Sequence, residues 1–135
     1  MEFWMRILTW SLPAGRIMGI PLRVNWLLLL FIPALIGPFV RAAAVAGGGT
    51  AVWLLLVGTM QIMVLYGSVL LHELGHCWGN RLVGNVAREI QLTPLGGIAI
   101  GEGPNHSPRS ELLVVGLGPA VSLALALAGW LLQRA

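Results

Sequence analysis

Three stretches of this chain carry no charged residue: Val24–Val40 with 17 residues, Ala51–Leu71 with 21 and Leu112–Leu132 with 21. About 20 apolar residues in a helix cross the hydrocarbon core of a bilayer, so the second and third runs suffice as they stand. The first continues past Arg41 through Ala42-Ala43-Ala44-Val45-Ala46, with Arg41 reaching back to the interface. Spans are therefore expected at about 24–46, 51–78 and 111–133, in one domain covering 1–135. Pro33 and Pro38 are expected to kink the first span, and Gly47-Gly48-Gly49 to form the tight connection to the second.

Composition argues against a water-soluble fold. Hydrophobic residues make up 57% of the chain and charged residues 10%. An average soluble domain is roughly 25% charged, and the surplus apolar side chains here need lipid to face. All eight basic residues are Arg and all five acidic residues are Glu, with no Lys and no Asp. The net charge of +3 is scattered through short loops. That distribution carries topology information and is no nucleic-acid footprint, so the expected partners are a lipid bilayer and a membrane-embedded protein, with no nucleic acid. Cys77, the single cysteine, reads as a small buried residue and implies no disulfide. Met1 to Leu12 is too short and too mixed for a cleavable leader.

The segments between the apolar runs do not read as helix. Leu12 to Val24 alternates around Gly15 and Gly19 and suggests a short hairpin. Val86 to Thr93 alternates apolar with polar residues, and Pro94-Leu95-Gly96-Gly97 leads into Ile98-Ala99-Ile100, which suggests two strands and a turn. Gly101 to Pro108 reads as loop. The fold class that follows is an α-helical membrane protein: three transmembrane helices, a short N-terminal hairpin and a small strand-bearing cytoplasmic loop. Arg6, Arg16 and Arg23 precede the first span, and Arg81, Arg88 and Arg109 lie between the second and third. Only Arg41 and Arg134 occupy the other side. Arginine-rich loops stay in the cytoplasm, so the expectation is a multi-pass protein of a prokaryotic cell membrane with a cytoplasmic N-terminus.

Chemistry concentrates where the second apolar run ends, at His72-Glu73-Leu74-Gly75-His76. Histidines at i and i+4 project from one helical face about one turn apart, so two imidazoles can hold one metal ion. Glu73 is turned about 100° from His72 but only about 60° from His76. It can reach a metal-bound water without ligating the metal, which is what a zinc hydrolase requires of its general base. Surface helices match this five-residue pattern by accident. Ionisable groups at membrane depth cost about 2.5–3.5 kcal/mol each on insertion scales, however, and are there for function. Gln61 and Ser68 fall near His72 on the helical wheel and Gly79 continues the stripe, suggesting either a hydrated groove or hydrogen bonds to neighbouring helices.

At this point the chain resembles the site-2 protease family of intramembrane zinc metalloproteases. Gly15 through Trp26 is similar to the family's opening before its first core helix, and Ser68 through His76 to its catalytic helix. Leu92-Thr93-Pro94-Leu95-Gly96-Gly97-Ile98-Ala99 resembles its strand-forming loop. Pro108-Arg109-Ser110-Glu111 with Gly116-Leu117-Gly118-Pro119-Ala120 resembles the start of its next helix. The resemblance implies one zinc ion on His72 and His76, Glu73 as the catalytic residue, and cleavage of a peptide bond within or near a membrane span of a regulatory protein. It also implies that Gly96, Gly97, Ile98 and Ala99 form the strand that pairs with unwound substrate.

Two positions depart from the family. Asn25 stands where many relatives carry a His, a position without a catalytic role. The family's third zinc ligand is an Asp on a later helix, and this chain has none. The expectation is a C-terminally truncated zinc metalloendopeptidase core, inactive on its own, whose third ligand lies beyond Ala135, with Glu102 and His106 as water-exposed loop residues. The alternative is a non-proteolytic membrane metal-binding or adaptor protein, or an inactive fragment of the same fold. A soluble metalloprotease ranks third, because it would expose three long apolar runs to water.

Overall fold

The computed structural model describes residues 10–104 and 107–134. The segment before Trp10, which includes most of the stretch read above as no cleavable leader, lies outside the described residues, as does His106.

Strand β1 (Ser11–Ile17) turns into β2 (Ile20–Asn25) through Met18 and Gly19 alone. Both turn residues have positive φ, 53° and 83°, the left-handed pair that a two-residue hairpin of matching twist demands. Arg23 fastens the open end: its Nε donates to Ser11 Oγ at 2.7 Å and its guanidinium donates to the Ser11 carbonyl at 2.9 Å. Asn25, buried, ends β2 and caps the next helix, its Oδ1 accepting from the Leu27 N–H at 2.9 Å. A short polar side chain at a helix N-cap satisfies a backbone donor that has no partner within the helix. Asn25 thus has a structural role in this chain.

Helix α1 (Trp26–Ala46) contains Pro33 and Pro38 and closes at Gly47. Helix α2 begins immediately, at Gly48, and runs 35 residues to Leu82. The connection is therefore tighter than the three-glycine loop expected from sequence. Gly47 and Gly48 take φ of 65° and 54°, and a left-handed pair without Cβ atoms reverses the chain within two residues. At 1.5 Å per residue α2 is about 52 Å long, well beyond a hydrocarbon core of about 30 Å. Gly58 lets α1 lie close, since a Cβ there would meet Phe39 Cγ at 2.7 Å.

After α2 the chain forms β3 (Val86–Thr93) and β4 (Gly96–Glu102), an antiparallel pair turning at Pro94-Leu95. The ladder reaches Val86↔Glu102, and Arg88 and Glu102 form an ion pair across it. Gly101 and Glu102 therefore belong to the strand, whereas the sequence reading placed them in a loop. A glycine and a glutamate lack strand propensity, and their partner residues are fifteen or so positions away in the chain.

The two hairpins join through a parallel pairing of β2 with β3, Leu22↔Ile90 to Val24↔Leu92, giving one sheet in the order β1-β2-β3-β4. The sheet packs on the last turns of α2 around Ile20, Cys77, Ala87 and Ile90, with Leu22, Leu70, Leu74 and Ala99 beside them. Cys77 is buried there as a small apolar group. Helix α3 (Pro108–Arg134) is the last element among the described residues. Gly75 and Gly79 face it: added Cβ atoms would meet the Leu117 carbonyl oxygen and Val114 Cα, each at 2.7 Å. Small residues four apart let two helices touch backbone to backbone. All three helices are long and apolar enough to cross a membrane.

Candidate metal centre

The close packing of α2 on α3 creates the centre. His72 and His76 project from α2 with ring centroids 4.8 Å apart and planes at 79°. Their Nε2 atoms approach to 3.1 Å. Two nitrogens sharing a tetrahedral zinc at about 2.05 Å are about 3.3 Å apart, so the spacing fits one such ion. The opposite ring atoms are tied down by α3. His76 Nδ1 lies 2.8 Å from the Val114 carbonyl oxygen, and His72 Nδ1 lies 2.8 Å from Ser122 Oγ. Such outer partners orient metal-binding imidazoles and leave Nε2 free to ligate.

Glu73, 5% exposed, packs against the sheet. Gly97 of β4 lies directly on it: a Cβ at 97 would overlap the Glu73 Cγ and meet its Cδ at 2.6 Å. Gly118 of α3 closes the other side, where a Cβ would overlap His76 Cε1 and Nε2 and reach His72 Nε2 at 2.9 Å. Both glycines are required by proximity. One ligand atom from each of His72, Glu73 and His76 falls within a 4.8 Å cluster, the only such group of potential metal ligands among the described residues.

Of the residues singled out from sequence, the structure brings together His72, Glu73, His76 and Gly97. Gly96, Ile98 and Ala99 continue the same strand, which is an edge of the sheet. Gln61 and Ser68 do not join them. Ser68 donates to the Val64 carbonyl of its own helix at 2.6 Å, and Gln61 lies three turns below His72, about 16 Å along the axis. Gly79 supports helix packing against Val114. Glu102 is committed to Arg88.

The sequence reading missed Ser122, the Val114 carbonyl and the close approach of Gly118. Gly118 and Ser122 stand four apart, on one face of α3, which is the only trace they leave in the sequence.

A sequence profile of peptidase family M50 matches residues 60–134, more than half of the chain and all of the centre. The chain belongs to peptidase family M50. A zinc metalloprotease of Methanocaldococcus jannaschii is 29% identical over 119 residues, covering 87% of this chain and 31% of that protein. A Synechocystis protein provisionally named a zinc metalloprotease is 35% identical over 118 residues, covering 85% of this chain and 30% of its own. The solved site-2 protease of M. jannaschii superposes with a TM-score of 0.68 at 28% identity, over 93% of this chain and 52% of that one. This M50 chain thus spans about 30% of the length of the curated relatives it matches. The resemblance to site-2 proteases read from the four motifs stands.

Proposed function

We propose that the protein is an intramembrane zinc metalloprotease that hydrolyses a peptide bond within or near a transmembrane segment of a substrate protein. The observation that carries this reading is the stacking of three parts at one point: the paired Nε2 atoms, the Glu73 carboxylate, and the edge strand β4 lying across that carboxylate. His72 and His76 would hold one zinc ion, which supplies electrophilic activation and an acidic bound water. Glu73 takes the proton of the attacking water and returns it to the leaving amine. Its position under Gly97 puts it beside whatever pairs with β4. A helical peptide bond is shielded by its own hydrogen bonds, so a substrate must unwind. The free edge of β4 at Gly96, Gly97, Ile98 and Ala99 offers the extended segment a partner.

Metal removal tests the reading. Together with a segment that supplies the third of the three protein ligands a catalytic zinc takes, and with a single-span substrate reconstituted in the same vesicles, the protein should cut inside or beside the span, as located by mass spectrometry of the products. A zinc chelator should abolish the cut, and about one equivalent of zinc should restore it. Cleavage that survives exhaustive chelation would refute the assignment.

The same reading places spans at about 24–46, 51–78 and 111–133, with the N-terminus and the strand-bearing loop in the cytoplasm of a prokaryotic cell. Topology reporters fused at Gly48 and at Asn105 should therefore label opposite sides, the first outside and the second inside. The reverse labelling would overturn the orientation.

A further inference from the structure

The two histidines are held by partners of different kinds. Val114 offers His76 Nδ1 a carbonyl oxygen, which only accepts, so that Nδ1 carries the hydrogen. Neutral His76 therefore has its lone pair on Nε2. Ser122 offers His72 Nδ1 a hydroxyl, which donates or accepts. The two Nε2 atoms stand 3.1 Å apart. Two lone pairs facing each other at that distance repel, and two arrangements that differ in the tautomer of His72 relieve the contact. In the first, His72 is the Nε2–H tautomer, donating to His76; its Nδ1 is then bare and Ser122 donates to it. Alternatively both lone pairs turn to a shared cation; His72 then carries its hydrogen on Nδ1 and Ser122 accepts.

We propose that Ser122 is a positioning residue that allows His72 to exchange tautomers, its hydroxyl donating to Nδ1 in the metal-free site and accepting from it in the loaded one, while Val114 keeps His76 in a single tautomer throughout. This rests on the reading of His72 and His76 as metal ligands. The exchange leaves the imidazole neutral: water removes the Nε2 proton and another is delivered to Nδ1, and the hydroxyl turns about its Cβ–Oγ bond. A residue that could only donate or only accept would favour one state over the other. The metal-free site is closed by a His72-to-His76 hydrogen bond, so both rings keep their places until an ion arrives.

The test uses the purified protein in lipid nanodiscs, labelled with 15N-histidine, first metal-free and then with zinc chloride added. The imidazole shifts of His72 should show a protonated Nε2 without zinc and a protonated Nδ1 with it. Those of His76 should show a protonated Nδ1 in both. In Ser122→Ala the metal-free preference of His72 should be lost, and zinc affinity, read by competition with a chromogenic chelator, should fall about tenfold. Ser122→Thr, which keeps the hydroxyl, should restore both readouts and guards against misfolding of the alanine variant. If His72 keeps one tautomer in both states while both histidines respond to zinc, the inference fails and the ligand reading survives. If neither histidine responds to zinc, both fail.

Discussion

Glu73→Gln should reduce proteolysis by about 10²–10⁴-fold while leaving the metal in place. The amide has the size and shape of the carboxylate, so it fits beneath Gly97 as the carboxylate does. It cannot accept a proton from water, and general-base assistance is what it removes. Zinc should remain because the two Nε2 atoms and their anchors at Val114 and Ser122 are untouched. The measurement is paired: cleavage of a reconstituted substrate, and zinc per chain by atomic absorption after dialysis. Loss of zinc in step with loss of activity would make Glu73 a ligand and remove its role as base.

Gly118→Ala should empty the centre. A single methyl at this position overlaps Cε1 and Nε2 of His76 and crowds Nε2 of His72, so the rings can keep their places only if α3 moves away. Moving α3 withdraws the Val114 carbonyl and the Ser122 hydroxyl as well, since both lie on that helix. The expected result is a fall of about 100-fold in zinc affinity, the upper range for disturbing the partners of metal-binding imidazoles. Gly116→Ala is the control: it lies two residues away on the same helix, nothing approaches within 4 Å of its would-be Cβ, and it should bind zinc like the parent protein. Equal affinity in both variants would show that α3 does not define the centre.

The contrast between Gly116 and Gly118 also shows where sequence reasoning stops. Local signals were legible. Charge-free runs gave three helices, the i, i+4 histidines gave a pair of rings on one face, and the pair around Gly19 gave a hairpin. What could not be read depends on contacts between residues far apart in the chain. Gly116 and Gly118 look alike in sequence, and only the approach of α2 makes one of them indispensable. Ser122 was invisible for the same reason, lying 50 residues from His72. Gln61 and Ser68 show a further limit: the helical wheel records angle but not height, and Ser68 donates its hydroxyl to the Val64 carbonyl of its own helix. The joining of the two hairpins into one sheet escaped too, because parallel pairing has no local signature in either strand.

That parallel pairing has a consequence for how the chain threads a bilayer. Strand β2 leads straight into α1 and β3 follows straight from α2, yet β2 and β3 are hydrogen-bonded neighbours. Neighbouring strands occupy one side of a membrane, so the number of crossings between Asn25 and Val86 must be even. In the membrane topology proposed above, helices α1 and α2 supply two. A chain in which α1 failed to insert, or slid to the surface, would strand its two hairpins in different compartments, and the sheet over Glu73 could never close. The sheet is thus a parity check on insertion: its formation excludes a state in which only one of the two helices has crossed when the carboxylate is roofed by Gly97.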